Sequence, residues 1–170
     1  MKFKPLIVSA CLVFVPLGVT AAPSTGDKLF TLAGSGSSDK DLDNNQFNVS
    51  FDVGQYMTDQ TAVGIRQSAG AADLGDDSSW TGATRVFADY HFGRADMQPF
   101  LGANIGGIYG DGVDETFFAG PEFGLKYYMK RETYLSVQAE YQVFFDNSND
   151  VENNYDNGAF VYSAGLGINF

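Results

Sequence analysis

Apolar and polar residues alternate along most of the chain with a period of two. The clearest segment is C-terminal, where Phe160, Tyr162, Ala164, Leu166, Ile168 and Phe170 share one face and Val161, Ser163, Gly165, Gly167 and Asn169 the other. Upstream, Leu135, Val137, Ala139, Tyr141, Val143 and Phe145 oppose Tyr134, Ser136, Gln138, Glu140 and Gln142. Phe117, Ala119, Pro121, Phe123, Leu125, Tyr127 and Met129 likewise oppose Phe118, Gly120, Glu122, Gly124, Lys126 and Tyr128. The same alternation runs through Phe100–Gly106, Arg85–Phe92, Phe47–Val53 and, more weakly, Thr61–Ser68. A short Gly/Ser-rich stretch from about Lys28 to Gly36 adds a first strand. Period two means that successive side chains point to opposite faces of a sheet, so the pattern predicts eight β-strands and no helix.

The connections fall into two classes that alternate in order. Ser37–Asn45, Gly70–Ser78, Gly110–Glu115 and Asp146–Asn157 are long, whereas Thr58-Asp59, Gly93–Asp96 and Lys130–Glu132 are short. In an up-and-down arrangement all the long connections collect at one end and all the short ones at the other. That is the layout of a bacterial outer-membrane barrel, with long extracellular loops and short periplasmic turns. The expected fold class is therefore all-β: an eight-stranded antiparallel up-and-down transmembrane β-barrel.

Charge sharpens the orientation. The 170 residues carry 21 acids against 10 Lys+Arg, a formal net charge of −11. Thirteen of those acids lie in the long connections, from Asp39, Asp41 and Asp43 to Asp150, Glu152 and Asp156, with Lys40 as the only base among them. So acidic a chain, with no clustered Lys/Arg surface, excludes nucleic acid as a partner. Charged residues are only 18% and aromatics 15%, which excludes a disordered acidic segment and an ordinary charged helical domain.

Lys2 and Lys4, the apolar stretch Leu6–Val19 and the small residues Val19-Thr20-Ala21 form a secretory signal, expected to be cleaved after Ala21. Residues 22–27 then make a short periplasmic segment and 28–170 the barrel. Cys11, the sole cysteine, lies inside the apolar stretch, so the 149-residue mature chain would hold no disulfide or reactive thiol. Val8-Ser9-Ala10-Cys11 superficially matches a lipoprotein cleavage box, but too few residues precede it for a complete apolar region.

A soluble lipocalin-like barrel also has eight alternating strands, but its polar face meets water and normally carries many Lys and Glu. Here the polar face is mostly Gly, Ser, Asn and Thr, which suits a small filled interior. The apolar face carries aromatics (Phe92, Tyr127, Tyr141, Phe145, Phe160, Tyr162, Phe170), expected near strand ends as interfacial girdles. From about Lys28 to Phe170 the chain resembles the family of small eight-stranded outer-membrane barrels that includes outer-membrane protein X and the membrane domain of outer-membrane protein A. The resemblance rests on topology and on the last strand ending in Phe170. It implies integral residence in the outer membrane of a Gram-negative bacterium and recognition of Phe170 by the barrel-assembly machinery. No periplasmic anchoring domain is expected after Phe170.

Inward parity singles out Asp52, Arg66, Arg85, Asp89, Glu122, Lys126 and Glu140, of which Asp52, Arg66, Arg85, Glu122 and Glu140 fall at similar heights. Such charges must pair in a narrow barrel. They form either a plug of Arg–carboxylate pairs, as the resemblance implies, or a path for ions or small solutes. Inward glycines (Gly102, Gly106, Gly120, Gly124, Gly165, Gly167) are expected to leave space for water. A third reading, a lipid-modifying enzyme, needs a nucleophile and base at the outer rim. The sole histidine, His91, sits beside a short turn instead, and the long connections hold no His or Cys, so no enzyme and no cofactor is expected. Asp39, Asp41 and Asp43 are candidate weak ligands for a divalent cation, which could bridge to lipopolysaccharide phosphates. The expected role is structural or adhesion-like, by a monomer embedded in outer-membrane lipid.

Overall fold

A computed structural model describes residues 23–39, 46–73, 78–93, 95–111, 115–145 and 158–170. Alternation of side chains gives each strand one apolar and one polar face, and curling the sheet until its edges meet hides both edges. Eight strands do so here: β1 (Lys28–Asp39), β2 (Gln46–Tyr56), β3 (Thr61–Asp73), β4 (Ser78–His91), β5 (Met97–Gly110), β6 (Thr116–Tyr128), β7 (Thr133–Phe145) and β8 (Gly158–Asn169). Each pairs antiparallel with its sequence neighbours, and β8 returns to β1 to close the barrel. The seam is completed by Phe170, whose N–H donates to the Lys28 carbonyl (3.0 Å) while its carbonyl accepts from the Lys28 N–H (2.8 Å). Followed once around the barrel, the register that leaves Leu29 returns at Asp39. That stagger tilts the strands and fixes how narrow the lumen is.

The apolar face points outward. Val137 (53% exposed), Ile105 (61%) and Phe123 (62%) have no protein over them, whereas the charged residue Arg66 is 2% exposed. With strands of 11 to 14 residues, long enough to cross a bilayer, the outer face matches lipid. One polar patch interrupts it. The Gln67 amide donates to the Tyr109 hydroxyl (2.7 Å), the Thr84 hydroxyl donates to Gln67 Oε1 (2.5 Å), and the Thr84 and Tyr109 hydroxyls bond at 2.9 Å. The three groups close a ring across β3, β4 and β5 and satisfy one another. Tyr109 also lies across Gly82, where any Cβ would strike its ring, and meets Trp80 edge-on at 6.2 Å.

Three expectations change. Ser37–Asp39, Gly70–Asp73 and Ser78 belong to strands rather than loops, because the ladder continues to Asp39↔Ala159 and Asp73↔Ser78. Backbone pairing there overrides the loop-like Gly/Ser/Asp composition. Tyr162 is not near a strand end either: it stands opposite Ala139 in the middle of β7 and stacks at 6.3 Å on Phe160, which packs on Tyr141. The inward glycines do not leave open space. A Cβ on Gly124 would collide with the Phe100 ring and one on Gly167 with Tyr134, so these positions are slots filled by neighbouring rings.

The short-turn end is tightly bonded. The Thr58 hydroxyl accepts from the N–H groups of Gln60 and Thr61, Met129 N–H donates to Thr133 O, and Gly93 takes a positive φ of 78°. Thr25 ties the N-terminal segment to this end by donating from its N–H and hydroxyl to Asp59 (2.9 and 2.8 Å).

Candidate functional site

Among the described residues, charged side chains gather in the lumen, and register decides how. Asp52, Arg66 and Arg85 are consecutive cross-strand partners on β2, β3 and β4. Asp89, Gly102, Glu122 and Glu140 are consecutive partners on β4, β5, β6 and β7. Like charges are thus neighbours in each row, Arg66 beside Arg85 and Glu122 beside Glu140, and they are relieved by Asp52 on the adjoining strand and by crossings of the lumen.

Arg66 makes most of those crossings. Its Nε donates to Asp52 Oδ1 at 2.9 Å, Nη1 to Glu122 Oε2 at 2.9 Å and Nη2 to Gln138 Oε1 at 3.0 Å. Glu140 lies 3.5 Å from both the Arg66 and the Arg85 guanidinium groups. Asn104 Nδ2 donates to Glu122 Oε2 (2.6 Å) and Gln142 Nε2 to Glu140 Oε1 (2.6 Å). A guanidinium keeps its charge at any relevant pH and offers five fixed donors, so it can hold several carboxylates in one arrangement. Phe118, fully buried, lies above this storey with Arg85 6.0 Å from its ring centre, and meets Phe144 edge-on at 6.4 Å.

Towards the short turns the filling changes to rings. Tyr56, Phe87, Phe100, Tyr128 and Tyr134 are all buried in the lumen. The His91 ring lies 5.3 Å from both Tyr56 and Phe100, and Tyr128 lies 5.3 Å from Tyr134. Their polar tips are satisfied: Tyr134 bonds Thr31 (2.8 Å) and Tyr128 accepts from Asn169 (2.8 Å). Lys126 belongs to this storey. Its Nζ donates to the Tyr56 hydroxyl (3.2 Å) and sits 4.8 Å from the Tyr134 ring centre and 5.9 Å from that of Phe100, a cation held over π faces.

Of the seven inward charges read from the sequence, Asp52, Arg66, Arg85, Glu122 and Glu140 meet in one ion-pair cluster, and Asp89 adjoins it in the Glu122 row. Lys126 departs from the expected carboxylate pairing and is held by rings. Sequence reading passed over Gln138, Asn104 and Gln142 as members of the network, and the rings that fill the lumen towards the short turns. All share the inward parity that exposed the charges. Asp39 ends β1, while Asp41 and Asp43 lie outside the described residues. Among the described residues no group of three or more His, Cys, Asp or Glu side chains is arranged to hold a metal ion.

A closed eight-stranded barrel with an uncharged apolar exterior and a polar, filled interior defines an integral β-barrel of the outer-membrane class. Solved barrels share this fold. The N-terminal barrel domain of Pseudomonas aeruginosa OprF superposes with a TM-score of 0.66 at 17% identity, over 87% of this chain and 100% of that one. Neisserial surface protein A gives 0.66 at 15% identity over 87% and 99%, and OprG of P. aeruginosa 0.61 at 13% over 89% and 99%. No protein-family model and no curated protein sequence matches the chain.

Proposed function

We propose that this protein is an outer-membrane barrel with a structural plug in its lumen, and that it works through its outer, loop-bearing end in a structural or adhesion-like role without catalysis. The observation that carries this reading is the double closure of the lumen. Arg66 bridges the barrel from Asp52 to Glu122 at mid-height, and Tyr56, Phe100, Tyr128 and Tyr134 fill it beneath. A barrel of eight strands is just wide enough to be filled in this way. The non-catalytic reading is supported by His91, 1% exposed, packed between two rings and next to the short turn after β4.

The partners follow from chemistry. The exterior calls for lipid, and the acid-rich long connections suit lipopolysaccharide only through divalent cations that bridge carboxylate and phosphate, with Asp39, Asp41 and Asp43 as contributors. Recognition by the assembly machinery is assigned to the C-terminal strand and Phe170, which stands 64% exposed. Single-channel recording of the refolded protein in planar bilayers tests the plug. The expected trace is flat, and reproducible discrete openings would replace this reading by a narrow channel for ions or small solutes. Deleting Phe170 should lower surface levels in cells; unchanged levels would remove its signal role.

A further inference from the structure

Among the described residues the lumen holds four carboxyl groups, on Asp52, Asp89, Glu122 and Glu140, against three cations, on Arg66, Arg85 and Lys126. Fully ionised, the compartment would keep one uncompensated negative charge away from water. A buried carboxylate in that position is neutralised by taking up a proton rather than staying bare.

Geometry selects the carboxyl that takes it. Asp52, Glu122 and Glu140 each touch a guanidinium group. Asp89, 3% exposed, makes no ion pair among the described residues. Its row partner is Gly102, and the next partner in the row is Glu122. A Cβ on Gly102 would run into the Asp89 carboxyl, so Asp89 occupies the room left by the missing side chain. From there it faces Glu122 along the row, and its Oδ1 has no hydrogen-bond partner among the described residues. Two carboxyl groups share a hydrogen bond only if one of them carries a proton. Glu122 already accepts from Arg66 Nη1 and Nη2, Asn104 Nδ2 and Gln138 Nε2, which suits an acceptor-only carboxylate. The donor in such a bond is then Asp89.

We propose that Asp89 is a proton-binding site, holding one proton at neutral pH and donating it to Glu122 across Gly102, and that the barrel takes up this proton as it folds. The charged and titratable groups facing the pair are Asp52 and Tyr56 from β2, Arg66 from β3, Arg85 and His91 from β4, Lys126 from β6 and Glu140 and Tyr134 from β7. β5 presents only Gly102 and Asn104 at this height, and β1 and β8 present no charge. The inference rests on the sealed lumen, but its readout is independent of conductance.

Infrared spectroscopy of the refolded barrel at neutral pH tests it. The expected spectrum contains a protonated-carboxyl carbonyl band that shifts when aspartate is carboxyl-labelled with 13C and is lost in Asp89→Asn, a substitution that keeps a donor towards Glu122. Refolding in weak buffer should take up about one proton more for the wild type than for Asp89→Asn. A spectrum without the band, a band that aspartate labelling does not move, or equal proton uptake by the two proteins would overturn the assignment. The labelling arm uses the wild-type chain and does not depend on the variant folding. Discrete channel openings alongside a normal band would instead count against the plug alone.

Discussion

Around Arg66 the lumen is filled by charged and amide groups whose positions are set by direction; around Tyr134, nearer the short turns, it is filled by rings whose positions are set by shape. The two storeys respond differently to the same constraint. In the upper one, like charges sit side by side in each register row and Arg66 ties Asp52 beside it to Glu122 and Glu140 across the barrel, so removing that guanidinium exposes several carboxylates to each other. In the lower one, three of the rings lie against a glycine on an adjacent strand, Phe100 on Gly124, Tyr134 on Gly167 and Phe87 on Gly64. There a change is felt as crowding or a void, with little electrostatic consequence. The charged storey is ordered by ion pairs, and the ring storey fills the lumen beneath it.

The comparison can be broken most forcefully at Arg66. Arg66→Ala leaves Asp52, Glu122 and Glu140 short of a cation in the lumen and should cost roughly 3–5 kcal/mol in reversible urea unfolding. A loss under about 1 kcal/mol would mean that water reaches the cluster. Next in size is a test of the faces themselves. Val137→Arg puts a charge into lipid between the two storeys and should impair membrane folding by roughly 2–4 kcal/mol. If it were harmless while Gln138→Arg disrupted folding, inside and outside would be exchanged.

In the ring storey, Gly124→Ala drives a methyl group into Phe100 and the Val137 carbonyl, and about 1–3 kcal/mol should be lost. Gly34→Ala, whose added Cβ meets nothing within 4 Å, is the matched control and should change stability by no more than about 0.5 kcal/mol. Equal effects from the two would show that glycines here serve the backbone and not the rings. The smallest effect belongs to the outer polar ring. Thr84→Val opens the Gln67–Thr84–Tyr109 cycle and should cost about 0.6 kcal/mol, typical of a side-chain hydrogen bond facing lipid.

What was legible in the sequence follows from this division. Strand number, face assignment and the mid-barrel charges depend only on parity and on distance from a turn, both of which are local. That is why Asp52, Arg66, Arg85, Glu122 and Glu140 could be brought together by counting. The glycine slots and the Asp89–Gly102–Glu122 row depend on which residue of one strand stands opposite which residue of the next. No local period carries that register, so Gly124 read as space and Lys126 as a carboxylate partner. The strand tips at Ser37–Asp39 and Gly70–Asp73 were hidden for another reason: their small polar residues lack β-propensity, and only the partner strand reveals the pairing.

The join between β1 and β8 has a kinetic side. Lys28 and Phe170 exchange two backbone hydrogen bonds across almost the whole length of the barrel sequence. Until they meet, β1 and β8 each present a row of unpaired amides that hydrocarbon cannot satisfy. A partly made sheet therefore has no stable place in the bilayer, and the first strand must wait for the eighth. Ring closure and membrane entry become a single late event, with the loop-closure entropy of the longest-range contact in the molecule concentrated in its barrier.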